Sequence, residues 1–235
     1  LIEIIIAGGN MKRLVIALLM VALVCGTAGA RKKKDKAGEI IDGVYIDKMY
    51  NFSLAVSKDV WDISIKKNTS QTRMNLTKKV FDIPIEYAQD PGYTKTPKVT
   101  VYVDTTSWSV KMFVDSLLND NFKSDQKKDI LHLCEILFGD FKPKRNSRYQ
   151  FGDIQGILIT GELRYTKQIP SATSNTSPDI ITDFYGGAVF FAKQDKNLYI
   201  FHMICENKYF STEFEDYVKL LNGLKFTGEK ADKDK

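Results

Sequence analysis

The chain has 235 residues, a net charge of +5 and 43% hydrophobic side chains, enough for one sizeable core. Its three cysteines are too few for a disulfide-framed mini-domain. Much of the excess positive charge sits in Arg31, Lys32, Lys33, Lys34 and Lys36, so the body is nearly neutral and does not fit a dedicated nucleic-acid binder, whose basic residues cluster along one folded face.

Residues 1–10 read as lying upstream of the true start at Met11. From there the order of parts is that of a bacterial secretory signal over 11–30: basic Lys12 and Arg13, an apolar run from Leu14 to Cys25, and the small residues Gly26, Thr27, Ala28, Gly29 and Ala30, with an A-x-A cleavage site after Ala30. Two other fates compete, a retained membrane anchor over the uncharged stretch and lipidation at Cys25. The basic run that follows is expected as a flexible segment over 31–40, leading into one domain over 41–227.

In Tyr50-Asn51-Phe52-Ser53-Leu54-Ala55-Val56, Phe52, Leu54 and Val56 alternate with small or polar residues, as in a half-buried strand. Trp61-Asp62-Ile63-Ser64-Ile65 repeats the pattern, and the two read as an antiparallel hairpin. Further strands are expected over 80–87, an edge because of Pro84, and over 99–103. Val110, Phe113, Val114, Leu117 and Leu118 form a helical stripe behind a candidate Ser107 cap. A second helix is expected from Ser124, its stripe Ile130, Leu133, Cys134, Leu137 and Phe138 ending at Gly139. A basic loop over 142–148 then leads into a strand region over 151–160, and 169–182, rich in Ser and Thr, reads as a loop.

Residues 188–192 and 198–205 are apolar at odd and even positions alike, so both faces of those strands need cover. The short polar link over 193–197 makes the pair a mid-sheet antiparallel hairpin. Thr212 and Glu215 make a candidate capping box for a helix burying Phe214, Tyr217, Val218 and Leu221 and closed by Gly223. Residues 228–235 are a charged tail, expected to be disordered. The fold class is α+β: an antiparallel β-sheet covered by helices on both faces.

Candidate chemistry is sparse. His132 and His202 are the two histidines; His132 and Cys134, two apart on a helix, point about 200° apart and cannot share one metal, and His202 reads as a core histidine. No nucleophile elbow, phosphate-binding loop, dinucleotide fingerprint or zincin motif occurs. Carboxylates gathered by folding, such as Asp62 with Glu86 or Asp104, keep a motif-free enzyme open. The candidate binding patch is Lys142, Lys144, Arg145 and Arg148, flanked by Phe141 and Tyr149, able to meet an acidic partner or a lipid head group. No metal or cofactor is expected, and whether Cys134 meets Cys205 stays open.

The segment Tyr50 to Val56 followed by Trp61, then Gly187-Ala188-Val189-Phe190, the strand over 198–205, and the ending Phe214-Glu215-Asp216-Tyr217 to Leu221-Asn222-Gly223-Leu224-Lys225-Phe226 resemble the PsbP-like family. Its members include the extrinsic PsbP subunit of photosystem II and a Ran-binding nuclear-transport protein. The resemblance implies an α-β-α sandwich and a non-catalytic role in binding or stabilising a larger assembly; no functional residue of the family has a matching motif here. The expected function is an exported, non-enzymatic accessory or protein-binding domain of the bacterial cell envelope, periplasmic or extracellular, with an unknown envelope protein as partner and no nucleic acid. Alternatives are a carboxylate-based enzyme and a peripheral membrane or anionic-polymer binder acting through 142–148; Cys25 or an uncleaved signal would tether it to the membrane.

Overall fold

Alternating apolar residues and two helical stripes account for most of the described residues, which are 36–81, 96–119, 141–169 and 179–227 of a computed structural model. In chain order these are β1 (Glu39–Ile41), β2 (Val44–Asp47), β3 (Phe52–Ala55), β4 (Trp61–Ile65), β5 (Thr72–Lys78), β6 (Lys98–Thr105), α1 (Val110–Leu118), β7 (Phe141–Phe151), β8 (Ile154–Ile169), β9 (Asp179–Gln194), β10 (Asn197–Glu206), α2 (Phe210–Asn222) and β11 (Leu224–Phe226). Seven strands join in the order β4-β5-β6-β10-β9-β8-β7, and four form a second sheet, β1-β2-β3-β11, every pairing antiparallel.

The apolar hairpin β9–β10 lies inside the large sheet, as its two-faced pattern demands, with Asp195 in the turn at φ 53°. Residues 188–192 and 198–201 have no exposed surface. Strand alternation sends them two ways. Leu198, Ile200, Val189 and Phe191 pack with Ile157, Ile159 and with Phe113 and Val114 of α1. Tyr199, Phe201, Met203 and Phe190 pack with Tyr45, Phe52 and Leu54 of the small sheet and with Tyr217, Leu220 and Leu221 of α2. A second sheet therefore supplies much of the cover on that side, which the helical stripes alone did not foretell.

The small sheet exists because β3 and β4 do not form the expected hairpin. Ser57 accepts from the amides of Val60 and Trp61, and this turn carries the chain from one sheet to the other instead of folding it back within one. Both edges of β3 are taken, by β2 and by β11, while β4 pairs with β5. The fold also begins earlier than the flexible segment expected over 31–40: Lys36 bridges Lys67, the buried Ala37 donates to Lys66 O at 2.9 Å, and β1 starts at Glu39.

A buried ion pair ties the two sheets. Arg73 of β5 and Asp47 of β2 are both fully buried, with Nε to Oδ2 at 2.7 Å. The guanidinium's other donors reach Asn68 O, Ser70 O, Ala37 O and Asn68 Oδ1, so all five are used, and its Cζ lies over the Tyr50 ring, 4.7 Å from the ring centre. Asp47 also accepts from Tyr45 Oη and from the amides of Met49 and Tyr50. Burial, with the Asp47 carboxylate adding to it, pushes the Tyr45 hydroxyl well above its ordinary value. β5 carries only two alternating apolar residues, Met74 and Leu76, and the bulge between Thr72 and Met74 falls at Arg73 itself.

Both described helices begin differently from their sequence signals. Ser109, not Ser107, caps α1, its Oγ accepting from the Met112 amide at 3.2 Å. A 3-10 turn at Asn207–Tyr209 runs straight into α2, which starts at Phe210, so Thr212 and Glu215 fall inside the helix and make no capping box. Gly223 does end α2, and for want of space: a Cβ there would lie 2.8 Å from Ala55 Cβ. Val80 lies exposed beyond β5, and the rest of the strand expected over 80–87, beyond Phe81, falls outside the described residues, as does the helix expected over 124–139. The loop expected over 169–182 is strand at both its ends, in β8 and β9.

Tyr217 anchors α2 to the large sheet. Its hydroxyl donates to Phe201 O at 2.6 Å and accepts from the Phe190 amide at 3.1 Å, bridging two residues paired across β9 and β10. Tyr217→Phe leaves a buried amide and a buried carbonyl without this partner and is expected to cost about 2 kcal/mol, read as a lower urea midpoint at unchanged slope. An unchanged midpoint would remove the bridge from the account of stability.

Candidate functional site

The expected basic loop over 142–148 is instead part of β7, the outermost strand of the large sheet. Gly152 and Asp153 make a two-residue hairpin turn, with Gly152 at φ 58° in the first central position, where glycine meets no penalty. Phe151 then packs edge-on against Phe190 at 4.9 Å and stacks with Tyr149 at 5.3 Å, fixing the start of the pairing with β8. Upstream, a bulge interrupts the register between Pro143 and Arg145. Proline, bulge and lysines are the devices that keep a strand edge from pairing indiscriminately.

Lys142, Lys144, Arg145 and Arg148 are all exposed, but they do not make one patch. Arg148 stands opposite Ile157, whose side chain faces α1, whereas Arg145 stands opposite Thr160, which points to the other face by alternation. Lys144 pairs with Glu162, which also accepts from Asn207 Nδ2 at 3.3 Å; the bond from Lys144 holds the Glu162 carboxyl below its usual range. Arg145 Nε donates to Ser147 Oγ at 3.2 Å. Among the described residues no carboxylate pairs with Lys142, Arg145 or Arg148. Arg148 lines a groove of about 520 Å³ between β7 and the start of α1, with Lys111, Tyr149, Gln150, Gln155 and Ile157. The strand character of this segment had one sequence signal, the Gly152-Asp153 turn between Phe151 and Ile154, which the charge of 142–148 overshadowed.

Several other ionisable groups are engaged in the structure itself. Lys78 Nζ lies 2.9 Å from Glu213 and 2.5 Å from Asp216, over the Trp61 ring at 5.6 Å. Burial pulls the Lys78 ammonium down, but the bonds it donates to Asp216 and Glu213 outweigh it and hold it above its ordinary value. Lys78 and Lys219 together hold Asp216 low. His202 is a buried histidine, and burial pushes its pKa down to about 4. Cys205 is a buried free thiol, pushed up to about 12 by burial and then by Glu213.

Asp62 and Asp104 do not converge. Asp62 is in register with Thr77, and Thr77 with Lys98, while Asp104 lies six residues further along β6, about 20 Å away. Asp104 accepts from Gln71 Nε2 at 3.1 Å. Among the described residues no three His, Cys, Asp or Glu side chains gather as for a metal, and no helix is long and apolar enough to cross a membrane. Glu86, His132, Cys134, Cys25, the signal over 11–30 and the tail over 228–235 lie outside the described residues.

No family model and no curated protein matches the chain. Solved structures do, at low identity. A protein from Bacteroides thetaiotaomicron aligns over 81% of this chain at 8% identity and a TM-score of 0.42, the match spanning only 50% of that protein. LpqN of Mycobacterium tuberculosis, described as involved in cell envelope biogenesis, aligns over 75% of this chain and 83% of its own at 9% identity and a TM-score of 0.43. Cyanobacterial PsbP from Synechocystis aligns over 80% of this chain and 95% of its own at 11% identity and a TM-score of 0.40. The PsbP-like resemblance read from the sequence thus recurs in the structure as a weak likeness of fold.

Proposed function

We propose that this chain is an exported, non-enzymatic accessory or protein-binding domain of the bacterial cell envelope, and that it holds its partner along the β7 margin of the large sheet. The carrying observation is that margin: an outermost strand of 11 residues with basic side chains exposed along it, beside a groove that α1 shares. In this reading the large sheet, helix-covered on both faces, is the rigid scaffold that presents the strand. The signal-like order of residues from Met11 to Ala30 supports export, and the separation of Asp62 from Asp104 favours a binding role over catalysis by that pair.

The test has two parts, made in the host's fractionated cells. Intact mass is expected to show a chain beginning at Arg31 in the soluble envelope fraction, and an uncleaved or lipid-modified chain would replace free diffusion with a membrane tether. A photocrosslinker at Tyr149 is expected to trap one discrete envelope protein, whereas the same label at the exposed Lys225 of β11 does not. Equal trapping at both positions, or monomer alone, overturns the reading.

A further inference from the structure

We infer that the outward edge of β7 over 146–150, unpaired among the described residues, takes an acidic, extended peptide segment as an added strand. The inference rests on the proposed binding role and names the partner's chemistry. In a two-residue hairpin the pair flanking the turn is hydrogen-bonded, and bonded and non-bonded pairs alternate from there. Phe151 and Ile154 flank the turn, so the amides and carbonyls of Tyr149 and Ser147 face β8, and those of Gln150, Arg148 and Asn146 face outward. Among the described residues β7 is the last strand of its sheet, and the register from Arg145 to Phe151 is unbroken. The guarding bulge and Pro143 protect only the other half of the strand.

Outward groups therefore repeat every two residues, about 7 Å apart, the repeat of an extended peptide. Charge selects which peptide. On the α1 side the neighbour of an added strand is Arg148, with Lys111 across the groove; Lys111 also meets Asp115 at 2.5 Å, which leaves Arg148 as the principal cation. On the opposite side the neighbours are Tyr149, 39% exposed and stacked on Phe151, and Arg145. The complementary segment alternates acidic residues toward Arg148 with apolar ones toward Tyr149. A polyanion without a peptide backbone meets the charge and leaves the outward amides unpaired; this favours a polypeptide over a lipid surface or a nucleic acid.

The probe is a labelled peptide of about eight residues alternating Glu and Val, the length of an ordinary strand, titrated against the full chain by fluorescence anisotropy. Saturable binding is expected, weakened about tenfold or more by Arg148→Glu and by exchanging the peptide's Glu for Lys, and abolished by N-methylating every peptide amide, which keeps the charge and removes the donors. Amide hydrogen exchange separates the modes: the amides of Asn146, Arg148 and Gln150 are expected to slow at least about tenfold at saturation, with those of Ser147 and Tyr149, already paired to β8, unchanged. If the N-methylated peptide binds equally well, or no outward amide slows, strand addition is overturned and the strand is a charged surface only. No binding of the acidic peptide overturns the inference as well, and the Tyr149 crosslink then reports separately on whether this margin holds any protein.

Discussion

Replacing Arg73 by methionine is expected to cost about 3–5 kcal/mol of folding stability, the largest loss from any single side chain described above, because it strands the Asp47 carboxylate, itself fully buried, without its counter-charge. For a domain of this size that is a fall of roughly 10 °C in Tm. Arg73→Lys is expected to recover little. An ammonium offers three donors from one point, and the native site uses five in a fixed plane, three of them on the main-chain carbonyls of Ala37, Asn68 and Ser70. Arg73→Met combined with Asp47→Leu removes the stranded charge and is expected to regain part of the loss, though Tyr45 Oη and the amides of Met49 and Tyr50 then lose their acceptor. A single mutant within about 1 kcal/mol of the parent in urea unfolding would show that the two sheets hold together without the clamp.

Acid is expected to weaken the domain well before its carboxylates protonate. His202 carries a folded-state pKa of about 4 against an ordinary 6.5, lowered by burial. Between those values the unfolded chain binds a proton that the folded chain refuses. The contribution is complete above pH 6.5 and is lost as pH falls toward 4, in total about 3 kcal/mol from this one group. The salt-bridged Asp216 adds a further loss, but at lower pH, because its folded pKa lies below the usual 3.8. His202→Gln is expected to flatten the slope between pH 6.5 and 4 and leave the steeper fall below it. Equal urea midpoints for the parent at pH 7 and pH 4.5 would contradict the buried neutral imidazole.

The middle of the sheet was legible in the sequence because a strand buried on both faces has few ways to be anything else: 188–192 and 198–205 are apolar at every parity and separated by a link too short for a crossover. The helix stripes at Phe113 and Val114 and at Tyr217 and Leu221 were legible for the same reason, since burial repeats with the helical period. What failed was local chemistry that tertiary contacts override. Ser107 and Thr212 are competent caps in isolation, but Ser109 lies where α1 starts and a 3-10 turn pre-empts the other. Nothing local to Arg73 marks it for burial, which comes only when Asp47, 26 positions earlier, is brought beside it. For the candidate site the composition was visible and the geometry was not. Four cations over seven residues read as a solvated loop, and only the pairing with β8 reveals that Arg148 and Arg145 lie on opposite faces of a sheet margin.

The pairing of β11 with β3 also governs when this protein can fold. Leu224 lies opposite Leu54 and Phe226 opposite Phe52, so the small sheet joins the two ends of the domain. A nascent chain has no fourth strand for that sheet, and no helix α2 beside it, until residues 210–226 have left the ribosome; the Asp47–Arg73 clamp can close earlier but holds a sheet with an open side. Contacts this remote in sequence form slowly. For a chain that crosses a membrane unfolded, as the proposed role requires, the delay is useful: β11 acts as a latch that sets only once residue 226 has emerged, leaving the translocation machinery an interval in which to engage an unlocked substrate.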